Sequence, residues 1–427
     1  MSIDRRHLLE RYRTGMRAVL DALADITDAE LDRPAPDGGW TARDVAHHLA
    51  DSEANGFIRL RRLIAEDDPV IVAYDQDLYA RQLHYDRPIA SSLAVLRAVR
   101  TSSLELLDAL TPAEWARSGR HSGSGSYSVD DWLDIYARHP HDHAAQIRRA
   151  RGWERQLEVP GGSLSMQQEG SGPPVLLLHA AIVDSRAWDA LVPLLTAAGH
   201  RVVRYDRRGF GRSITEDVPY SNRSDALAVL DALGIERAIV VGNSQGSQIA
   251  VDIAIEHPER VIAVVAVGPT IGGYAPEPTP AEAELFDQME RLEASGDPDA
   301  IAAFDVDVWV NGPGQPADRV PGHILEAVRE MDRGIWDPPR SQGQPIRLEP
   351  AAAGRLDELT APLLAVAGDL DVSDAWLTAR YLAANAPSAR AVLLPGVAHM
   401  IGMEAPVELA RLIVELAATL PVETDGH

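Results

Sequence analysis

The sequence predicts two folds in tandem: an all-α four-helix bundle over residues 1–152, then a doubly wound, mostly parallel α/β domain over residues 153–427 with a helical cap inserted at about 270–359. Three observations carry this expectation. The first 150 residues hold four long stretches whose apolar residues recur every three or four positions, and little in them reads as strand. Beyond residue 152, short apolar runs alternate with amphipathic helices, the signature of a parallel sheet covered on both faces. Between Thr270 and about Leu359 that rhythm lapses into helical and Pro/Gly-rich sequence, as an inserted cap requires.

Taken in order, the first helix carries Leu9, Tyr12, Met16, Val19, Leu20 and Leu23 on one face. The second opens at "TARD", where Thr41 can cap and Asp44 stands three residues on, and it runs to about Glu66. The third lies between Ser91 and Leu110. The fourth opens at "SVDD", with Ser128 as cap and Asp131 at the third position, and stops near Gly152. The stretch "HSGSGSYS" reads as a loop. "RQLEVPGGSLSMQQEGSGPP" then reads as a hairpin leading into a sheet. The runs "PVLLLHA", "HRVVRYD", "RAIVVGN", "VIAVVAVGP", "PLLAVAGDLD" and "ARAVLLPGV" supply strands, and "APVELARLIVELAATL" is the closing helix.

Composition narrows the chemistry. The chain has 427 residues, 45% of them hydrophobic and 24% charged, which is ordinary for globular protein and too long for one ordinary core. A net charge of -24 disfavours nucleic acid and anionic membranes as partners. Cysteine is absent, so disulfides, thiolate metal sites and a cysteine nucleophile are excluded. The first residues lack the apolar core of a signal peptide, and no apolar run approaches a membrane span, so the expected location is cytoplasmic. A small molecule is the expected substrate, and a homodimer is compatible with the sequence.

"GNSQG", residues 242–246, places Ser244 between glycines where an apolar strand turns into a helix. Such a turn holds a serine hydroxyl out at the sheet edge, where it can act as a nucleophile. A hydroxyl needs an imidazole to take its proton, and the imidazole needs a carboxylate to fix its tautomer. Asp371 closes one later strand and His399 follows another, so all three side chains belong to strand ends on one edge. Asp369 and Asp374 are rival acids. The oxyanion donors are assigned to the backbone N–H groups of Gln245 and Ala181. Leu285, Phe286, Met289, Trp309 and Trp336 are candidates for an apolar pocket wall, which suits a small hydrophobic substrate.

From Leu157 to Leu420 the chain resembles the α/β-hydrolase superfamily. The marks are "LLLHA" followed by Trp188, "YDRRGFGRS", "GNSQGS", "GDLD" and "GVAHM", in the family's order. The resemblance implies a metal-free hydrolase of esters, lactones, amides or C–C bonds, with Ser244, Asp371 and His399 as its triad. The sequence departs from the family at His179-Ala180, where His-Gly is usual; the added methyl narrows the oxyanion entrance.

The bundle raises a separate chemistry. In helix four, Trp132, Ile135, Tyr136, His139, His143 and Ile147 share a face, and His141 points away. In helix two, Val45, His48, Leu49 and Ser52 share a face, leaving His47 outward. Two imidazoles a turn apart plus a third can bind one divalent metal, and zinc, nickel and ferrous iron all suit imidazole. The segments "GGWTARDVAHHLADSE" and "YARHPHDHAAQIRR" resemble the DinB-like four-helix family, particularly its YfiT-type branch, over about residues 4–151. That resemblance implies His48, His139 and His143 as metal ligands. Pro140, between two of them, is expected to kink the helix.

Three functional classes follow: a serine hydrolase with an appended metal-binding bundle; a bifunctional protein whose bundle is a metal-dependent thiol transferase, an activity that the DinB-like resemblance implies; and a non-catalytic ligand-binding sensor.

Overall fold

The structure, a computed structural model, describes residues 5–24, 26–35, 38–336 and 341–420. The extreme ends of the two expected domains, 1–4 and 421–427, lie outside the described residues. The chain divides into two compact units, Met1–Glu154 and Arg155–His427.

The first unit is built on α1 (Arg5–Ala22), α2 (Ala42–Ala65), α3 (Ala90–Ala109) and α4 (Val129–Ala150). Helix α1 packs along α4, and α2 packs on both α3 and α4. Reciprocal capping boxes start two of them: Thr41 with Asp44 on α2 and Ser128 with Asp131 on α4. Each box satisfies amide groups that the first helical turn leaves without partners. The core has two layers, one around Tyr12, Leu63, Trp132 and Tyr136, the other around Val19, Val45, Leu49 and Ile147.

Three local expectations are corrected here. The "HSGSGSYS" segment is not a loop: β2 (Ser118–His121) and β3 (Gly125–Ser128) form an antiparallel hairpin, joined by β1 (Val70–Ile71). Its strands are short and mostly exposed, so no apolar alternation announces them. Ile135 is 48% exposed instead of lying with Trp132 and Tyr136. His47 does not face outward; it is fully buried, with Nδ1 2.8 Å from Ser92 Oγ and Nε2 2.9 Å from the Arg87 carbonyl. Pro140 lies inside α4, which runs from Val129 to Ala150. A proline there cannot donate to the Tyr136 carbonyl, and Arg100 Nη1 donates to that oxygen instead, at 3.2 Å.

The second unit carries a central sheet. Its strands are β4 (Glu154–Val159), β5 (Gly162–Glu169), β6 (Pro174–Leu178), β7 (Arg201–Tyr205), β8 (Ile214–Thr215), β9 (Ala238–Asn243), β10 (Val261–Val267), β11 (Leu363–Gly368) and β12 (Ala389–Leu394). The order is β12-β11-β10-β9-β6-β7-β5-β4, with β8 beside β5. All pairs from β12 to β7 are parallel, and β5 runs antiparallel to β7.

Both faces are buried, as continuous apolar strands require. Val240 and Val264 enter one apolar cluster while Val241 and Val265 enter the other. Helices α6 (Asn222–Ala232), α7 (Gln245–Glu256) and α11 (Ser373–Asn385) contribute to the first; α5 (Val192–Ala197) and α12 (Pro406–Ala418) contribute to the second.

Between β10 and β11 the chain leaves the sheet to form the cap. It holds α8 (Pro280–Ser295), α9 (Pro298–Asp305), a π-helical stretch Val306–Asn311 and α10 (Gly322–Trp336). Beneath it Val306, Val310, Val328 and Met331 meet Ala180, Val183 and Met400 from the sheet-edge loops. This cluster, and not Leu285, Phe286, Met289 or Trp336, is the buried apolar floor of the cap.

Candidate active site and metal centre

The parallel strands end at one edge, and each loop leaving that edge brings one group. At the end of β9, Ser244 has φ 55 and ψ −119, one of three non-glycine residues with positive φ among the described residues. That conformation costs of order 1–3 kcal/mol and persists only where the surroundings enforce it. Here Ser244 N–H donates to the Val267 carbonyl at 2.8 Å. The flanking glycines are sterically obligatory: a Cβ on Gly242 would sit 2.0 Å from the Gly246 carbonyl oxygen, and one on Gly246 would sit 2.2 Å from that of Leu178. The strand-turn-helix can close only with both.

His399, beyond β12, and Asp371, beyond β11, meet directly: Nδ1 lies 2.7 Å from Asp371 Oδ2. The Asp371 side chain is fully buried, and its other oxygen accepts the Val372 amide at 2.8 Å. A carboxylate held this way keeps the proton on Nδ1 and leaves Nε2 free as a base. The rival acids serve other partners. Asp369 accepts the Gly396 amide at 2.6 Å, and Asp374 accepts the Thr378 hydroxyl at 3.0 Å. Burial raises Asp374 above the ordinary carboxylate range.

The Ser244 hydroxyl makes no hydrogen bond to His399 among the described residues. Such contacts commonly tighten only around bound substrate. The two residues are nonetheless tied through their neighbours, because Asn243 Nδ2 donates to the His399 carbonyl at 3.4 Å. At the end of β10, Gly268 makes room for the ring; a Cβ there would approach His399 Nδ1 to 2.9 Å.

The amides of Ala181 and Gln245 donate to no protein acceptor among the described residues. Gln245 opens α7, where the first amides have no intrahelical partner and the helix dipole favours negative charge. His179, fully buried and kept neutral by that burial, donates from Nδ1 to the Ala180 carbonyl at 2.7 Å and accepts the Arg207 amide at Nε2 at 2.9 Å.

Several residues of the site were not legible as such in the sequence. Trp309 was expected only as wall; its ring lies 4.9 Å from the His399 ring, and its Nε1 donates to Asp305 at 3.2 Å. Glu282 of the cap accepts the Ser373 amide at 2.5 Å and the Ser373 hydroxyl at 2.8 Å, anchoring α8 beside the Asp371 loop. Burial acts to raise the Glu282 carboxyl, but hydrogen bonds from Ser373 and Thr279 outweigh it and bring it down to about 2. Arg319 pairs with Glu404, whose Oε2 accepts the Ala398 amide at 3.0 Å, next to His399. No local motif marks these; only the cap's path brings them in.

In the first unit, His48, His139 and His143 converge. His139 Nε2 lies 3.2 Å from His48 Nε2 and 3.0 Å from His143 Nε2, and the three ligand nitrogens fall within 4.8 Å of one another. Burial, and then the neighbouring imidazole, pushes His48 down to about 3; burial and the other two imidazoles push His139 to about 2. Burial also lowers His143. All three are therefore neutral near pH 7, the form that ligates metal.

A ring nitrogen offers one in-plane donor or one in-plane lone pair, so protons cannot satisfy both close contacts at His139 Nε2. A cation at the common focus of three lone pairs removes that conflict, and the donor set fits a divalent metal. Behind the cluster, His143 Nδ1 bonds Gln146 Oε1 at 2.7 Å, and the Trp40 ring lies 4.7 Å from that of His48. The Nδ1 atoms of His48 and His139 are buried without partners.

Comparison with known proteins agrees with both halves. The profile described as alpha/beta hydrolase family matches residues 175–412, and that of the DinB superfamily matches residues 9–147. A protein of Oceanobacillus iheyensis that bears the name "Putative metal-dependent hydrolase OB0782" is 39% identical over 131 residues, 31% of this chain and 76% of the relative. Rhodomycin D methylesterase DauP of a Streptomyces species is 30% identical over 283 residues, 58% of this chain and 94% of the relative. A hydrolase structure from Pseudomonas aeruginosa shares the fold at 24% identity, with a TM-score of 0.50, covering 63% of this chain and 99% of that one. The chain belongs to the alpha/beta hydrolase family, and ahead of that region it carries a DinB-superfamily segment.

Proposed function

We propose that the second unit is a serine hydrolase that cleaves an ester-like bond of a small hydrophobic molecule, with Ser244 as nucleophile, His399 as general base and acid, and Asp371 as its orienting carboxylate. The observation that carries this reading is the strained Ser244 turn on the same sheet edge as the 2.7 Å His399–Asp371 contact. In this account Ser244 Oγ attacks the substrate carbonyl while His399 Nε2 takes its proton. The developing oxyanion is met by the free amides of Ala181 and Gln245, each worth about 2.7–4 kcal/mol in the transition state. Collapse expels the leaving group, which receives the proton from His399. Water then adds to the acyl-enzyme by the same route and frees Ser244.

Lactones, amides and C–C bonds use the same machinery, and an ester is favoured by the methylesterase relative. The Trp309 ring beside His399 favours a hydrophobic group next to the scissile bond. Turnover of p-nitrophenyl esters should fall about 10⁴- to 10⁶-fold in Ser244→Ala at unchanged fold; undiminished turnover rejects the reading.

A second reading concerns the first unit and rests on the three-nitrogen focus. His48, His139 and His143 would hold one divalent ion, zinc, nickel or ferrous iron. Three protein ligands would leave such an ion with coordination capacity for a substrate, as in catalytic sites. When bound there, a metal supplies Lewis acidity and can hold a thiol as its thiolate. That supports a bifunctional protein over a purely structural bundle. Metal content measured on the purified protein, before and after chelation, tests it. The acidic chain argues for a small-molecule substrate over nucleic acid. No described helix is long and apolar enough to cross a membrane.

A further inference from the structure

Adjacent arginines in "YDRRGFGRS" have different fates. Arg208 pairs with Asp225 through two hydrogen bonds, of 2.7 and 2.9 Å. Arg207 is 3% exposed and has no carboxylate partner among the described residues. The neighbouring acid, Asp206, is taken up by the amides of Ser185 and Arg212 at 2.9 and 2.8 Å. A buried cation without a counter-ion is costly to the fold. Burial pulls its guanidinium down to about 10, still charged at neutral pH. Its partners are instead two neutral oxygens, one on Gln245, whose amide is free, and one on Ala180, whose carbonyl shares a peptide unit with the free amide of Ala181. Nη1 donates to Gln245 Oε1 at 2.7 Å, and Nη2 donates to the Ala180 carbonyl at 3.1 Å.

The second contact has a geometric consequence. In a planar trans peptide the carbonyl of Ala180 and the N–H of Ala181 point in opposite directions. Holding the carbonyl against Arg207 and His179 Nδ1 therefore turns the Ala181 N–H away from them. The first contact draws the one acceptor atom of the Gln245 side chain to Arg207, and that oxygen accepts none of the free amides at the start of α7.

We propose that Arg207 is a positioning residue that clamps both oxyanion donors from behind and supplies an uncompensated positive charge to that side of the site. This rests on the serine-hydrolase reading. The clamp acts on charge that develops in the transition state, so its loss should appear in kcat and leave substrate binding alone.

The test uses the full-length protein with Arg207→Gln and Arg207→Lys, assayed on p-nitrophenyl esters and against an alkylboronic acid as transition-state analogue. For Arg207→Gln we expect kcat to fall about 100-fold with KM within about twofold. Affinity for the boronic acid should fall by a similar factor, and the melting temperature should not drop, since an unpaired buried charge is removed. Arg207→Lys, which keeps the charge, should recover part of kcat, and it carries the test if the Gln variant fails to fold. Kcat within about threefold of the parent in both variants, or a loss confined to KM, overturns the inference. A parent protein that neither turns over esters nor binds the boronic acid overturns the serine-hydrolase reading instead.

Discussion

The two polar clusters of this chain are finished to different degrees. At the sheet edge, His399 Nδ1 has Asp371, Asp371 has the Val372 amide, and the Ser244 backbone is held by Val267. In the bundle, three imidazole nitrogens crowd together with a hydrogen-bond conflict at His139, and two of the opposite nitrogens have no partner. In the first cluster the His399–Asp371 pair and the Ser244 backbone are held by the protein alone, with the Ser244 hydroxyl not yet bonded to His399. The second leaves donor atoms without partners among the described residues. The contrast is between a His399–Asp371 pair whose polar atoms find partners within the protein, as the proposed relay needs, and three histidines whose contacts, on the proposed metal reading, an ion would complete.

The largest effect that could break this contrast lies at Asp371. Asp371→Asn should keep the ring in place but supply the wrong hydrogen-bond partner, lowering kcat about 10⁴-fold. Steady-state kinetics check it, and a loss below about tenfold would mean that the carboxylate does not set the tautomer. Next comes the bundle. Saturating zinc should raise the melting temperature of the parent by about 5–10 °C, and His139→Ala should abolish that rise. Calorimetric scans with and without zinc decide it. An equal rise in both proteins would place the metal elsewhere.

Much of this contrast could be read from the residues, for identifiable reasons. Strong periodicity announced α1 to α4, and the boxes at Thr41 and Ser128 were legible because capping needs only four consecutive residues. The strand ends beside Ser244, Asp371 and His399 were legible because buried parallel strands are continuous apolar runs. The β2–β3 hairpin escaped because its strands are four residues each and largely exposed. His47 was misread because helical spacing assigns one face, while α3 and the segment at Arg87 cover a second. Arg207, Glu282 and Trp309 act through contacts distant in sequence, and a linear pattern carries no signal for those.

The smallest effect sharpens the picture of the cap. The Glu282 carboxyl lies at about 2 in the folded protein against an ordinary 4.5, so the stability it adds is whole above 4.5 and is lost as pH falls toward 2. Glu282→Gln should therefore lower the melting temperature modestly at pH 7 and flatten its decline between those two values. Parallel melting curves for variant and parent across that window would show that the carboxylate does not anchor the cap.

The most direct measurement is labelling of the metal-stripped protein with a p-nitrophenyl alkylphosphonate, followed by peptide mass spectrometry. A self-sufficient relay predicts one adduct per chain, on Ser244, formed at the same rate with and without zinc. No adduct, an adduct at another residue, or labelling that requires zinc would contradict it.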